Sequence, residues 1–431
     1  MNDLLEFYEN EAQSTSLKAT WFADRKTRAL ESFRSRSFPT RQDEDWKYTR
    51  LDGFLEQRFS IHSATLPGAS AFDSAWSIEK RAALGMPILL YNGQVLLPEG
   101  IKEALAQGAI VAPILEALEL HEDKIRPWLG KLLAAEHGFH ALNIAALQTG
   151  LFIYIPAHVQ LEAPLVMHHW QDQAGAALYS HNLVILGESS SATLVENYEG
   201  KPSLSYCTNT ITEIHVAALA QLKHYKIQNE SKSAYHFGHI AVQQDLGSHY
   251  ENHSLNLGAK LARSDLTLTF LAKDAHCLLN GIYLPTDGQH VDHHTSIHHS
   301  VPDCTSVQNY KGVLTGKSQA VFNGKILVGK RAVRTLASQE NKNLLLSNLS
   351  QVNTKPQLEI FADDVRCKHG ATVGRLDEEA LFYMLSRGIT RDEATSLLIQ
   401  AFAADNLEHA SHPNLRVWLA QLIEAQWRKS I

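Results

Sequence analysis

The sequence predicts a mainly β protein, a strand-rich core flanked by helical regions at both ends. Three observations predict it. Between about residues 138 and 366, short runs rich in Val, Ile, Thr, Leu and Tyr recur, separated by Gly, Asn, Ser and Asp. Almost none of these runs is joined by a two-residue hairpin turn, and no amphipathic helix intervenes, which excludes a doubly wound sheet. The segments on either side keep helical spacing of their apolar residues. A β-sandwich and a β-helix both satisfy the core pattern. Strand pairs recurring roughly every 20 to 25 residues lean toward a solenoid of stacked coils.

The first region, residues 1–137, reads as mostly helical. Leu4, Leu5, Tyr8 and Ala12 share one helical face, and Trp21, Phe22, Arg25 and Leu30 belong to a second amphipathic stretch before the Phe38-Pro39 break. PILLYNGQVLL (87–97) reads as a small hairpin, because Asn92-Gly93 between apolar runs is a strong turn signal. The segment 101–120 has helix-forming composition, interrupted at Gly108 and Pro113. The core, 138–366, contains LFIYIP, PLVMHHW, HNLVILG, ATLVENY, NTITEIHV and QLKHYKIQ, then LTLTFLA, HHTSIHH, QNYKGVL, QAVFNGKILV and QLEIF.

The last region, 367–431, returns to helix. Asp377 is placed to cap a helix that ends at Gly388, a residue suited to a left-handed cap. Thr390-Arg391-Asp392-Glu393 forms a capping box. The helix it opens carries Ala394, Leu397, Leu398, Ala401 and Phe402 as one apolar stripe, and after His412-Pro413 a final helix repeats the pattern with Leu415, Trp418, Leu419, Leu422 and Ile423.

Composition narrows the function. A net charge of −7, with no dense Lys/Arg run, argues against nucleic-acid and anionic-membrane binding. The acidic start lacks the basic and apolar regions of a secretory signal, and no apolar run approaches the ~20 residues that span a bilayer. Four cysteines, Cys207, Cys277, Cys304 and Cys367, are too sparse for a disulfide framework and form no C-x-x-C pair. These features point to the cytoplasm.

Three motifs invite chemistry. Gly312-Val-Leu-Thr-Gly316-Lys317-Ser318 imitates a P-loop, but three residues separate the glycines where the phosphate cradle needs four, and Lys311 stands where a glycine is required. Its flanks read as strands, so no helix N-terminus awaits a phosphate. His290, His293, His294, His298 and His299 form a cluster that an extended strand divides between two faces: His293, Thr295, Ile297 and His299 on one, His294, Ser296 and His298 on the other. Imidazoles two residues apart suit zinc, copper or iron, while a polar ladder along a stacked sheet explains them equally. Cys367-Lys368-His369 places a thiol and an imidazole on one face of a strand, roughly 6.5–7 Å apart at Cα. That pair suits iron or zinc, and Lys368 would modestly favour the thiolate. Two ligands cannot close an Fe–S site, which takes about four. A buried structural cysteine beside a capping histidine is the plainer alternative.

Three runs carry a resemblance to a known family: YKGVLTGKSQAVFNGKILV (310–328), SQENKNLLLSNLSQVNTKPQLEIFADDVRCKHGATVG (338–374) and LDEEALFYMLSRGITRDEA (376–394). With DEDWKYTRL (43–51), they make the chain similar to the SufB/SufD family of the SUF iron–sulfur cluster assembly system, on its SufD side. SufB-like chains are longer and carry a different sequence where this one has CKHGAT. The resemblance covers most of the second half of the chain and is weak between about 52 and 280. It implies a right-handed parallel β-helix core between helical regions, and a non-catalytic scaffold acting with SufB and with the ATPase SufC.

The resemblance further implies that Cys367 and His369 lie at a SufB interface, where a transient Fe–S cluster is completed by SufB ligands and no cofactor resides in the isolated chain. The Ala394, Leu397, Leu398, Ala401, Phe402 helix corresponds to the SufC-docking region. Edge-to-edge pairing of β-helices would also permit a homodimer, and no flavin motif is visible. A carbohydrate-active β-helix enzyme is the rival class, weakened by the lack of a compact acidic pair. A SufB-like scaffold holding a cluster alone is a further alternative, which four scattered cysteines make difficult.

Overall fold

In the computed structural model, residues 2–15, 19–61, 84–98, 101, 105, 108–133 and 137–428 are described. Among these residues nineteen strands form two sheets: β1 (Met86–Tyr91), β2 (Gln94–Leu96), β3 (Ile110–Pro113), β4 (Leu151–Ile155), β5 (Leu165–Gln171), β6 (Ala177–Leu186), β7 (Ser191–Gly200), β8 (Cys207–Val216), β9 (Gln221–Asn229), β10 (Tyr235–Gln244), β11 (His249–Asn256), β12 (Leu261–Phe270), β13 (His276–Tyr283), β14 (His290–His299), β15 (Thr305–Leu314), β16 (Gln319–Val328), β17 (Thr335–Leu345), β18 (Gln351–Ile360) and β19 (Val365–Gly374). One sheet runs β19-β17-β15-β13-β11-β9-β7-β5-β1-β2 and the other β18-β16-β14-β12-β10-β8-β6-β4-β3. From β4 (Leu151–Ile155) to β19 (Val365–Gly374) every strand pairs in parallel with the strand two places on, so odd strands build one wall and even strands the other. This is a parallel β-solenoid of about eight turns, the β-helix alternative of the sequence pattern.

The coil repeat is longer than the sequence spacing suggests. Tyr235 stacks on Leu261, 26 residues on, and Gln319 on Gln351, 32 residues on. The corners explain both the length and the absence of hairpin signals. Single residues with positive φ turn the chain between walls, among them Ser189, Leu219, Asp274, Asp303 and Gly316. One left-handed residue bends the chain without reversing it, so most corners need no Asn-Gly signature. The one hairpin predicted from the sequence is present: β1 (Met86–Tyr91) and β2 (Gln94–Leu96) pair antiparallel through Asn92 and Gly93, both at positive φ.

Both outer walls are covered. On the even wall lies the N-terminal region, led by α1 (Asn2–Ser14) and α2 (Thr20–Arg36). Tyr8, Phe22, Phe33, Phe38, Trp46 and Phe54 form one apolar cluster with Tyr179, Tyr235 and Phe237 of the wall. On the odd wall lie three helices at the C-terminus, Glu378–Ser386, Arg391–Glu408 and Pro413–Arg428. Ile399, Ala403, Leu415, Leu419, Ile423 and Trp427 pack there against Tyr225, Ile227, Leu255 and Ile282. Asn406 locks the contact: its Nδ2 donates to the Asn309 carbonyl at 3.0 Å, and the Asn406 carbonyl accepts from Asn280 Nδ2 at 2.7 Å.

The compositional boundaries shift accordingly. Strand structure starts before residue 138, since β1 pairs in parallel with β5 (Leu165–Gln171), and a short helix, Gly138–Ala145, lies inside the range read as all strand. It ends beyond 366, because β19 carries CKHGAT to Gly374 and the helices begin only at Glu378. Ile110–Pro113 is a strand and Ile114–Leu120 a helix, while part of 101–107 lies outside the described residues.

Candidate functional site

The two ends of the solenoid differ. At the N-terminal end, β2 closes one sheet and β3 (Ile110–Pro113) the other, each by antiparallel pairing. At the C-terminal end, β18 and β19 each pair on one side only among the described residues. Their residues are largely half-buried or exposed, whereas inner strands such as β6 (Ala177–Leu186) are buried throughout. Two ten-residue edges with free backbone groups are a template for another strand, which isolated proteins normally blunt.

Cys367 and His369 both lie on this last rung. Cys367 stacks on Ala337 and His369 on Gln339, two buried residues of β17 (Thr335–Leu345). Cys367 packs against the core between the walls, so alternation turns His369 toward the same open end. His369 is exposed and Cys367 half-buried. Burial pushes the Cys367 thiol above its ordinary pKa, partly offset by a backbone hydrogen bond at Ala337. The expected help from Lys368 is absent: that side chain alternates to the opposite face and takes no part in the shift.

The other thiols cannot complete a site with Cys367. Cys277 shares its ladder column through Ser306 and Ala337, three rungs back, or about 14 Å at roughly 4.8 Å per rung. Cys207 is buried on β8 and Cys304 is buried just before β15.

The histidine cluster divides as alternation requires along β14 (His290–His299). His293 and His299 are buried between the walls, His293 between the rings of Tyr283 and Tyr310 and His299 on Ser306 at 2.9 Å. On the outer face His294 meets Asp292 at 3.0 Å and His298 meets Ser296 at 2.8 Å, while His290 contacts Thr49 and Gln319 at 3.0 and 3.1 Å. The false P-loop is a strand–turn–strand corner with Gly316 at positive φ. Lys311 there is structural, its Nζ donating to the Phe402 carbonyl at 2.9 Å and to Asp405 Oδ2 at 3.0 Å.

The capping box of Thr390 and Glu393 and the Asp377 cap form as expected. The apolar stripe does not form one face. Ala394 is buried, Leu398 and Phe402 are half-buried, and Leu397 and Ala401 are exposed. The helix instead buries Ile399, Ala403 and Asn406, because Asn406 takes the inward position by bonding the wall. This rotation leaves Leu397 on the surface of the C-terminal bundle, together with Phe382, Tyr383 and Val417.

Two features escape a reading by residue type. The space between the walls is charged near β7–β10: Glu196 accepts from Tyr198 at 2.6 Å, Thr212 at 2.7 Å and His224 at 3.2 Å, and Glu230 binds His236 at 2.7 Å and Thr208 at 2.6 Å. Burial alone would raise the Glu196 carboxyl, but His224 and Lys226 hold it below the ordinary range. Second, the DEDWKYTRL segment is a clamp. The Arg263 guanidinium lies 3.9 Å from the Trp46 ring centroid, donates to the Asp45 carbonyl at 2.6 Å and to Asp292 at 2.8 Å, and Thr49 donates to Asp292 at 2.5 Å. Only the odd clustering of charge and tryptophan at 43–46 signalled it.

Such a molecule, a covered solenoid with one open rung bearing a thiol and an imidazole, belongs to the class of parallel β-helix proteins. Comparison places it more closely. A family model described as SUF system FeS cluster assembly, SufBD core domain, matches residues 169–402, and the SufBD protein N-terminal region matches 1–167. The iron–sulfur cluster assembly protein SufD of Escherichia coli strain K12 is 32% identical over 385 residues, covering 86% of this chain and 85% of its own. A SufBD family protein of Synechocystis is 27% identical over 98% of this chain and 95% of its own. Protein ABCI7, chloroplastic, of Arabidopsis thaliana is 28% identical over 90% and 82%. The chain therefore belongs to the SufB/SufD family of SUF iron–sulfur cluster assembly, as a SufD-type member. Among the described residues no helix is long and apolar enough to cross a membrane.

Proposed function

We propose that this chain is a non-catalytic scaffold subunit that pairs with SufB through its open rung and docks the ATPase SufC on its C-terminal helices. The single observation carrying the reading is the asymmetry of the solenoid: one end closed by antiparallel strands, the other left as two unpaired ten-residue edges. Adding strands from a second β-helix satisfies those edges by main-chain hydrogen bonds. It also brings a partner's ligands to the mouth where His369 and Cys367 sit, supplying the donors this chain lacks for a nascent cluster. The cluster is cargo on this account, held jointly and passed on, with no resident cofactor. A second copy of the chain competes for the same edges, so a homodimer forms when SufB is absent.

The exposed Leu397, Phe382, Tyr383 and Val417 give the C-terminal bundle an apolar surface for SufC. ATP-bound SufC then favours one geometry of its two docking platforms, which shifts the paired solenoids at their shared rung. The site of action is the cytoplasm. The test is assembly of a chain lacking residues 376–431 with SufB and SufC. Retained SufB pairing with lost SufC binding supports the assignment of the two surfaces, and normal SufC binding refutes it.

A further inference from the structure

A large cavity opens on the even wall, and neither Cys367 nor His369 lines it. It holds about 600 Å³ between the outer face of the even wall and the clamp segment. His137, His140, His239, Asp265 and His294 converge on its lining. Three of them, His137, His140 and Asp265, offer ligand atoms that all lie within 4.8 Å of one another. We infer that this cluster is a second metal site, which takes one divalent first-row transition ion such as iron(II) or zinc(II).

The fold places these side chains with little freedom. His137 precedes the helix Gly138–Ala145 at its N-terminal boundary and His140 sits in its first turn. That helix start is fixed by Gly138, where a Cβ would come within 1.9 Å of the Ser37 carbonyl oxygen, so the chain passes closer than any other residue allows. Asp265 comes from β12 (Leu261–Phe270), on the wall beneath. The imidazole rings of His137 and His140 lie 3.6 Å apart at their centroids. Ligands about 2.1 Å from one ion stand roughly 3.4 Å from each other, so small side-chain rotations close the set.

The surroundings supply what a metal site needs. His140 Nε2 and His239 Nδ1 are 2.8 Å apart, and His239 Nε2 is 3.1 Å from Thr267 Oγ1. Such a bond to one ring nitrogen is how second partners orient a ligating histidine. His137 Nδ1 is buried with no hydrogen-bond partner among the described residues. Arg263 holds Asp265 at 2.9 and 3.0 Å, fixing the carboxylate while each oxygen keeps a further lone pair. Two imidazoles with one carboxylate, facing a cavity that admits water or a further ligand, is a borderline donor set with open positions; magnesium and calcium prefer all-oxygen cages.

The experiment uses untagged full-length protein, stripped of metal, titrated with cobalt(II) as the probe. The wild type should bind one equivalent, competed by iron(II) and zinc(II) but not by magnesium. His137→Gln and Asp265→Asn should each weaken binding at least tenfold, while the Cys367→Ser/His369→Ala double variant should leave this equivalent unchanged. No stoichiometric binding overturns the inference, as does unchanged affinity in variants that melt like the wild type. X-ray absorption of the zinc-loaded wild type decides independently of any variant's folding. A nitrogen and oxygen shell with two imidazoles supports the site, and a sulfur ligand overturns it.

Discussion

His293 allows the buried interior to be tested with pH. Its imidazole is 2% exposed, enclosed by Tyr283 and Tyr310 at 5.4 and 5.3 Å. Burial, with a smaller opposing pull from Asp292, lowers its pKa from 6.5 to about 4. Between those two values the unfolded chain binds a proton that the folded chain refuses, so stability falls as pH drops below 6.5. At pH 5 the group has crossed about 1.5 units of that window, worth about 2 kcal/mol at roughly 1.36 kcal/mol per unit. Asp292, whose pKa is lowered instead, adds nothing here, because its stabilisation is lost only below the unfolded value of 3.8. Replacing His293 by Gln removes the titrating group. Urea unfolding of both proteins at pH 7.5 and pH 5 isolates the effect, since any packing loss in the variant appears at both pH values. The variant should lose about 2 kcal/mol less stability across the interval than the wild type. Parallel losses would show that His293 is not held neutral by burial.

Three further outcomes follow from contacts. Gly281→Ala places a Cβ 2.2 Å from the Tyr310 ring inside the coil, a rigid neighbour, and should cost about 1–3 kcal/mol in the same unfolding assay. Arg263→Lys loses the paired hydrogen bonds to Asp265 and the stack on Trp46, and should speed proteolytic cleavage within 37–49 while the solenoid stays folded. Asn406→Leu removes the donor to the buried Asn280 side-chain oxygen and should cost about 1–3 kcal/mol, with faster hydrogen exchange confined to the three C-terminal helices.

Strands that bury aliphatic residues were legible, as in ATLVENY and NTITEIHV. Those that bury polar ladders were not: TLASQENKNLL is absent from the strand-like runs, yet Gln339, Asn341 and Asn343 are buried, with Asn341 Nδ2 donating to Tyr283 Oη at 3.0 Å. A hydrophobic pattern cannot report an interior that satisfies itself by side-chain hydrogen bonds. Capping residues identified helix ends because their chemistry is local, as at Asp377 and Thr390. The stripe on the second C-terminal helix misled because one polar residue, Asn406, sets the buried face through bonds to strands about a hundred residues away. Cys367 and His369 were identifiable as neighbours on a strand. That the strand is the last rung depends on where stacking stops, which only the register shows. The His137–His140–Asp265 cluster joins two neighbouring histidines to an aspartate on a strand far along the chain, a partnership that local spacing does not show.

The central claim is that the open rung is a shared assembly site. Its most direct test is co-purification of this chain with SufB and SufC, wild type beside His369→Ala, followed by iron and sulfide analysis of the complexes. The account predicts that the variant complex assembles in full yield and loses its cluster. A variant complex that assembles and retains the wild-type iron and sulfide content would contradict it, leaving the rung as a docking edge alone.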